Sequence, residues 1–154
     1  MTYKGGVSMK KVYLSESAAD TERIATELAE SIEPGDMVAL FGGLGVGKTA
    51  FCRGFAKGIG YNDEVTSPTF AIVHEYLGGR LNIYHFDMYR IESFDELYST
   101  GYFEYLESGG VVITEWSENI ENVLPNKYYR VEMSNPEQND RRKIEIELID
   151  SSES

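Results

Sequence analysis

The sequence lacks the features of a membrane or secreted protein. No apolar run approaches the roughly 18 residues that a membrane-spanning helix needs, and no apolar stretch follows the lysines near the N-terminus, so no signal peptide is predicted. The only cysteine, Cys52, cannot form an internal disulfide, which favours a reducing compartment. We therefore expect a cytoplasmic protein without a membrane partner, in which Cys52 serves as a small apolar helix residue.

Positive charge is also scarce. The chain has 14 Lys and Arg against 26 Asp and Glu, which gives a net charge of −12. Because binding to a phosphate backbone depends on clustered cations, direct binding to RNA or DNA is disfavoured. A basic protein partner suits this surface better, although an acidic excess also serves solubility alone.

The apolar segments predict one α/β domain. Of the 154 residues, 42% are hydrophobic, enough for a single core. Alternating or continuous apolar runs predict strands at residues 10–14, 37–41, 70–76, 81–86, 111–114, 127–133 and 141–149. Helical spacing predicts a helix capped by Ser15 or Ser17 that ends before Pro34, and further helices at residues 48–59, 93–100 and 102–106. We expect a single domain at residues 10–150, a flexible leader at 1–9 and a flexible tail at 151–154.

A glycine-rich loop carries the strongest chemical signal. Residues 42–49, Gly-Gly-Leu-Gly-Val-Gly-Lys-Thr, match the phosphate-binding pattern G-x-x-x-x-G-K-[ST] completely. The glycines let successive backbone amides point at phosphate oxygens, and the following helix adds its positive end. Lys48 supplies an ammonium to the terminal phosphates, and the Thr49 hydroxyl can bind magnesium. The motif follows a buried strand and begins a helix, so we predict a three-layer P-loop domain with a mixed parallel and antiparallel sheet between helices.

Two acidic residues at predicted strand ends can complete a magnesium site. Glu115 follows the apolar run at residues 111–113, and Asp87 follows the strand that contains His85. Either carboxylate can hold the metal while the other orients the attacking water. We interpret His85, inside an apolar strand, as a hydrogen-bonded core residue. Arg53 and Arg90 are the nearest cations in sequence, and we expect them to pair with surface acids.

Four segments together resemble the bacterial TsaE (YjeE) family. They are the glycine loop, Thr-Ser-Pro-Thr-Phe at residues 66–70, His-Phe-Asp-Met-Tyr-Arg at 85–90 and Thr-Glu-Trp at 114–116. The resemblance implies a P-loop ATPase, with ATP and Mg²⁺ as cofactors, that is required for forming threonylcarbamoyladenosine in tRNA. It further implies weak turnover alone and activity on a complex of two partner proteins, TsaB and TsaD, so that tRNA is reached only through that complex.

The resemblance also implies roles for individual residues. Thr49 and Glu115 correspond to the magnesium ligands, Asp87 and Lys48 to the catalytic residues, and residues 66–69 to a switch-like loop. Ala50 stands where many members have Thr or Ser. The residues expected to contact the nucleotide are Thr21, Gly42, Gly45, Val46, Gly47, Lys48, Thr49, Ala50, Asp87 and Arg141.

Three other functions remain open at this level. A GTPase normally reads guanine with Asn-Lys-x-Asp, but Asn126-Lys127 is followed by two tyrosines. A small-molecule kinase would need lid arginines, yet residues 93–121 contain no Lys or Arg. A nucleotide-sensing regulatory module with negligible turnover fits the loop equally well.

Overall fold

Seven strands form one mixed sheet in the computed structural model of the chain, in the order β1-β7-β6-β2-β5-β4-β3. The structure describes residues 9–42, 47–65, 73–137, 139 and 141–151. The strands are β1 (Met9–Ser15), β2 (Met37–Phe41), β3 (Val73–Tyr76), β4 (Ile83–Asp87), β5 (Val111–Glu115), β6 (Lys127–Ser134) and β7 (Arg142–Asp150). The helices are α1 (Ala18–Glu30), α2 (Lys48–Ile59), α3 (Phe94–Ser99), α4 (Tyr102–Leu106) and a 3-10 helix (Ser117–Val123).

The centre of the sheet is parallel and its edges are antiparallel. β2 lies between β5 and β6 and is parallel to both, and β4 is parallel to β5. β7 is antiparallel to β1 and β6, and β3 is antiparallel to β4. Every residue of β2 is buried, as expected for a strand that is covered on both faces. The predicted mixed sheet is confirmed.

Helices cover both faces of this sheet, which confirms the predicted three layers. Val38 and Leu40 of β2 point to the face that packs against α1 and α2. Met37, Ala39 and Phe41 point to the other face, in a second core with residues of α3, α4 and the 3-10 helix. Within the described residues, no helix has the length and apolar composition needed to cross a membrane.

Most predicted elements are present, with shifted ends. Ser17, and not Ser15, caps α1 by accepting a hydrogen bond from the Asp20 N–H at 3.1 Å. β1 includes Met9, which the sequence analysis assigned to the leader, and Ser151 of the predicted tail donates its N–H to the Asn126 carbonyl. The predicted β3 begins at residue 70, but residues 66–72 lie outside the described part of the chain. The 3-10 helix was not predicted.

α1 and α2 pack unusually closely and run in the same direction. A Cβ at Gly54 would lie 2.2 Å from the Glu22 carbonyl oxygen, and one at Gly58 would lie 2.6 Å from the Ala29 Cβ. Because later residues of α2 contact later residues of α1, the N-termini of both helices lie at the same end of the layer. The start of α2, where the glycine loop ends, is therefore close to the start of α1.

We expect Gly54→Ala to lower the free energy of unfolding by about 2 kcal/mol, because the added methyl group meets backbone that cannot move aside cheaply. Helix propensity alone predicts the opposite sign, a gain of about 1 kcal/mol. Lys57→Ala, at an exposed position of the same helix, is the control and should change stability by less than about 0.5 kcal/mol. Urea unfolding measures both; a Gly54→Ala protein as stable as the wild type would contradict the close packing.

Candidate functional site

The glycine loop connects the end of β2 to the start of α2, as predicted. Gly42 has a φ of 129° and Gly47 a φ of 93°, backbone conformations that residues with a Cβ rarely adopt. Lys48 is the first residue of α2, so Gly47 occupies the helix N-cap. Gly45 and Val46, two predicted nucleotide contacts, lie outside the described residues, as does the predicted switch-like loop at residues 66–69.

The Lys48 ammonium is buried at the start of α2. The residue is only 6% exposed, and its Nζ donates a hydrogen bond to the Gly42 carbonyl at 3.1 Å. The same Nζ lies 4.5 Å from the centroid of the Trp116 ring, within the range of a cation–π interaction. Burying an ammonium is costly without such partners. Through these two contacts, Lys48 at the start of α2 connects the residue after β2 with the residue after β5.

The backbone of Trp116 adopts an uncommon left-handed conformation. Its φ of 59° is the only positive value among the described residues other than glycine. The left-handed region is disfavoured for a bulky side chain. The turn directs the indole toward Lys48 and lets the 3-10 helix begin at Ser117.

Asp87 and Glu115 are neighbours at the ends of two parallel strands. The register of β4 and β5 pairs these two residues directly, and adjacent strands lie about 4.8 Å apart. Both side chains share strand parity with Ile83 and Ile113, which pack on the α1–α2 face. The Asp87 Oδ1 accepts a hydrogen bond from the Tyr89 N–H at 2.9 Å. The structure thus brings the two predicted acids together on the face that carries Lys48.

A buried network positions Glu115. The Glu115 Oε2 lies 2.6 Å from the Nε2 of His85, and the Tyr76 hydroxyl lies 2.9 Å from the Nδ1 of His85. An ionised carboxylate only accepts hydrogen bonds, so beside an ionised Glu115 the histidine would donate from Nε2, and a neutral imidazole would then accept the tyrosine hydroxyl at Nδ1. His85 is fully buried, so the prediction of a hydrogen-bonded core histidine is confirmed.

Cys52 joins this network from α2. Its Sγ lies 3.5 Å from the Nε2 of His85, and the ligand atoms of Cys52, His85 and Glu115 all lie within 4.8 Å of one another. Burial and the Glu115 charge raise the pKa of the Cys52 thiol well above its usual value, against a smaller opposing effect of Lys48. The thiol is therefore neutral at physiological pH, which agrees with its predicted role as a buried helix residue.

The other predicted nucleotide contacts lie around the starts of α1 and α2. Thr49 is exposed and Ala50 half-buried in the first turn of α2. Thr21 is buried, and its hydroxyl lies 2.7 Å from the Ser15 hydroxyl. The Arg141 Nε lies 3.6 Å from a carboxylate oxygen of Glu16, next to the N-cap of α1. Arg141 and the helix of Thr21 thus meet at one end of the molecule. Their contact with a nucleotide stays a prediction.

Two further residues clarify the surroundings of the loop. Arg53 pairs with Glu22 at 3.2 Å, which confirms its predicted surface role. Sequence analysis did not identify Glu118, whose Oε2 accepts a hydrogen bond from the Gly42 N–H at 3.0 Å. The two residues are far apart in sequence, and only the unpredicted 3-10 helix brings this carboxylate to the loop. The one local sequence feature that could have indicated Glu118 is its position three residues after Glu115.

Comparisons with known proteins identify relatives over most of the chain. The sequence model of the family "Threonylcarbamoyl adenosine biosynthesis protein TsaE" matches residues 15–144. The tRNA threonylcarbamoyladenosine biosynthesis protein TsaE of Treponema pallidum is 41% identical over 112 residues, which cover 73% of this chain and 82% of the relative. The protein of the same name from Bacillus subtilis is 44% identical over 112 residues, 73% of this chain and 70% of the relative. The crystal structure of Bacillus subtilis YdiB superimposes with a TM-score of 0.74 and 31% identity, covering 95% of this chain and 90% of that one.

We expect His85→Phe to lower the free energy of unfolding by about 2 kcal/mol, because it removes a hydrogen bond to a buried carboxylate. His85→Gln retains an amide donor in place of Nε2 and should lose clearly less. Thermal unfolding of both variants beside the wild type measures the difference. Equal losses would show that a donor at this position does not contribute to stability, and would contradict the hydrogen-bonded network.

Proposed function

This chain belongs to the TsaE family of tRNA threonylcarbamoyladenosine biosynthesis proteins, and we propose that it binds and hydrolyses ATP on the loop at residues 42–49 while acting on the TsaB–TsaD complex. One observation carries this proposal: the Lys48 ammonium is buried at the start of α2 and contacts Trp116, the residue that follows Glu115 at the end of β5. A lysine ammonium, a helix N-terminus and the backbone N–H groups of a glycine loop together suit the binding of a polyphosphate.

The residues present fit ATP with magnesium. Magnesium prefers oxygen ligands, and the Thr49 hydroxyl and the carboxylates of Glu115 and Asp87 supply oxygens near the start of α2 and the ends of β4 and β5. Bound ATP–Mg²⁺ supplies the phosphoryl bond to be cleaved and a divalent charge that stabilises the transition state. The Cys52 thiol and the His85 imidazole, which lie beside Glu115, are engaged in hydrogen bonds of their own.

Each residue has a distinct proposed task. Lys48 releases the Gly42 carbonyl and binds the terminal phosphates. Thr49 and Glu115 would hold the metal, and His85 orients the Glu115 carboxylate through its 2.6 Å hydrogen bond. Asp87, fixed by the Tyr89 N–H, orients the attacking water and accepts its proton. This assignment leaves Thr21 and Arg141 to contact the nucleoside end of ATP.

The charge of the chain supports action through protein partners. With a net charge of −12, the surface repels the phosphates of tRNA, so we propose that tRNA is reached only through TsaB and TsaD. We propose that the reaction takes place in the cytoplasm, which suits a tRNA modification factor.

Reconstitution tests the proposed function as a whole. Threonylcarbamoylated tRNA is measured over several rounds with TsaB, TsaD, the activated threonylcarbamoyl donor and ATP, with and without this chain. We expect product in excess of the enzyme complex only when the chain and ATP are both present. Equal product without the chain, or with a non-hydrolysable ATP analogue in place of ATP, would overturn the proposal.

Lys48→Ala should weaken binding of ATP–Mg²⁺ by about 100-fold, because it removes the charge that faces the terminal phosphates, and Thr49→Ala should weaken it by about tenfold. Titration calorimetry measures both affinities, with Lys57→Ala as the control. Trp116 fluorescence gives an independent readout, since moving the ammonium away from the indole changes its environment. Unchanged affinity in both variants would remove the loop from the site.

Asp87→Asn should lower the rate of ATP hydrolysis by about 100-fold or more, because the amide cannot accept a proton from water. The ATP affinity should change by less than about threefold, since the amide still accepts the Tyr89 hydrogen bond. Asp95→Asn, at an exposed position of α3, is the matched control. Equal losses of rate and affinity would indicate that Asp87 only supports the structure.

A further inference from the structure

Two exposed aromatic rings and one half-buried ring form a cluster on the side of the sheet opposite α1 and α2. Phe94 and Tyr98 of α3 are 58% and 59% exposed. Their ring centroids lie 6.2 Å apart, and Phe103 of α4 lies 5.6 Å from Phe94 and 6.2 Å from Tyr98. Single exposed apolar residues are ordinary, but adjacent exposed aromatic rings are typical of a surface that becomes covered.

The segment that carries this cluster has charge of one sign only. Residues 91–126 contain no Lys or Arg. Seven of their acidic residues are exposed to solvent: Glu92, Asp95, Glu96, Glu104, Glu107, Glu118 and Glu121. The segment that carries the aromatic rings therefore exposes carboxylates and no cation, and three of these carboxylates, Glu92, Glu118 and Glu121, line a cavity together with Phe94.

A cavity of about 250 Å³ lies beside Phe94. Its lining combines buried apolar side chains of Ile91 and Leu97 with the exposed carboxylates of Glu92 and Glu121. Lys and Arg side chains have an aliphatic stem and a charged head. Such a side chain can cover the apolar part of the cavity while its head pairs with the carboxylates.

We propose that this aromatic–acidic surface, formed by Phe94, Tyr98, Phe103 and the acidic cavity beside them, docks a basic face of a protein partner. The aromatic rings supply the apolar contact, and the carboxylates select a partner with Lys or Arg side chains. This inference rests on the proposed function, in which the partner is the TsaB–TsaD complex.

Charge excludes the other classes of occupant. RNA and anionic lipid surfaces would bring phosphates against the exposed carboxylates. In a two-fold symmetric dimer the same patch meets itself, so a second copy would bring the acids of this surface against their own equivalents. A basic protein surface is the occupant that gains from the carboxylates of this segment, and the nearest cation in sequence, Arg90, lies just before it and lines a neighbouring cavity with Glu92.

The surface is also continuous with the glycine loop. Glu118 lines the same cavity, and its carboxylate accepts the hydrogen bond from the Gly42 N–H. A basic side chain that pairs with Glu118 competes with that amide for the same carboxylate. A partner docked here therefore lies next to the residue at which the loop begins.

The test measures binding of the full chain to the TsaB–TsaD complex by titration calorimetry at low and high salt. Phe94→Ser with Tyr98→Ser, and separately Glu92→Lys with Glu121→Lys, should each raise the dissociation constant at least about tenfold. The loss in the charge-reversal variant should shrink at high salt, since salt screens exposed charges. ATP binding by each variant alone should match the wild type.

Two matched control variants carry the same types of substitution at other places on the surface, so that they show whether the loss of binding depends on where the substitutions lie. Glu27→Lys with Glu30→Lys makes the same change in net charge on exposed positions of α1, on the opposite side of the sheet. Val12→Ser with Leu14→Ser removes two exposed apolar side chains from β1, which are 56% and 69% exposed. Both controls should bind the complex within about twofold of the wild type.

Each contrary outcome identifies what has failed. Wild-type affinity in both surface variants, or equal losses in the controls, would overturn the docking surface and leave the proposed function intact. Absence of binding by the wild-type chain would overturn the partner assignment and the docking surface with it. A wild-type dimer that Phe94→Ser with Tyr98→Ser converts to a monomer in sedimentation would assign the surface to a second copy and overturn the proposal.

Discussion

A nearly buried ammonium is the constraint on which the rest of the site depends. Lys48 is 6% exposed, and its charge is balanced by the Gly42 carbonyl at 3.1 Å and the Trp116 ring at 4.5 Å. Neither partner is an anion in direct contact, so the positive charge stays available to an anionic ligand. The left-handed backbone at Trp116 accompanies this contact between the indole ring and the ammonium.

The parallel centre of the sheet places the opposing charges around that cation. β2, β4 and β5 all end at one edge, so the residues that follow them converge there. Asp87 and Glu115 would repel each other as neighbouring carboxylates. The His85 hydrogen bond on Glu115 and the Tyr89 N–H on Asp87 stabilise them separately. At the same edge Glu118 holds the first glycine of the loop, which connects the site to the aromatic–acidic surface.

Local sequence patterns predicted what depends on near neighbours. The apolar run before the glycine loop predicted β2, and the apolar runs at residues 81–86 and 111–114 predicted the strands that end at Asp87 and Glu115. Long-range contacts were beyond such patterns, because strand order and pairing are not encoded in any short window. The His85–Glu115 hydrogen bond and the Glu118–Gly42 hydrogen bond depend on that order. The 3-10 helix was missed because seven residues with an interrupted helical backbone carry little periodicity.

The most direct test of this account is a crystal structure of the chain with magnesium and a non-hydrolysable ATP analogue. The account predicts that the Lys48 Nζ leaves the Gly42 carbonyl for a phosphate oxygen, and that oxygens of Thr49 and Glu115 face the metal. It would be contradicted by a nucleotide bound elsewhere while Lys48 still contacts Gly42 and Trp116.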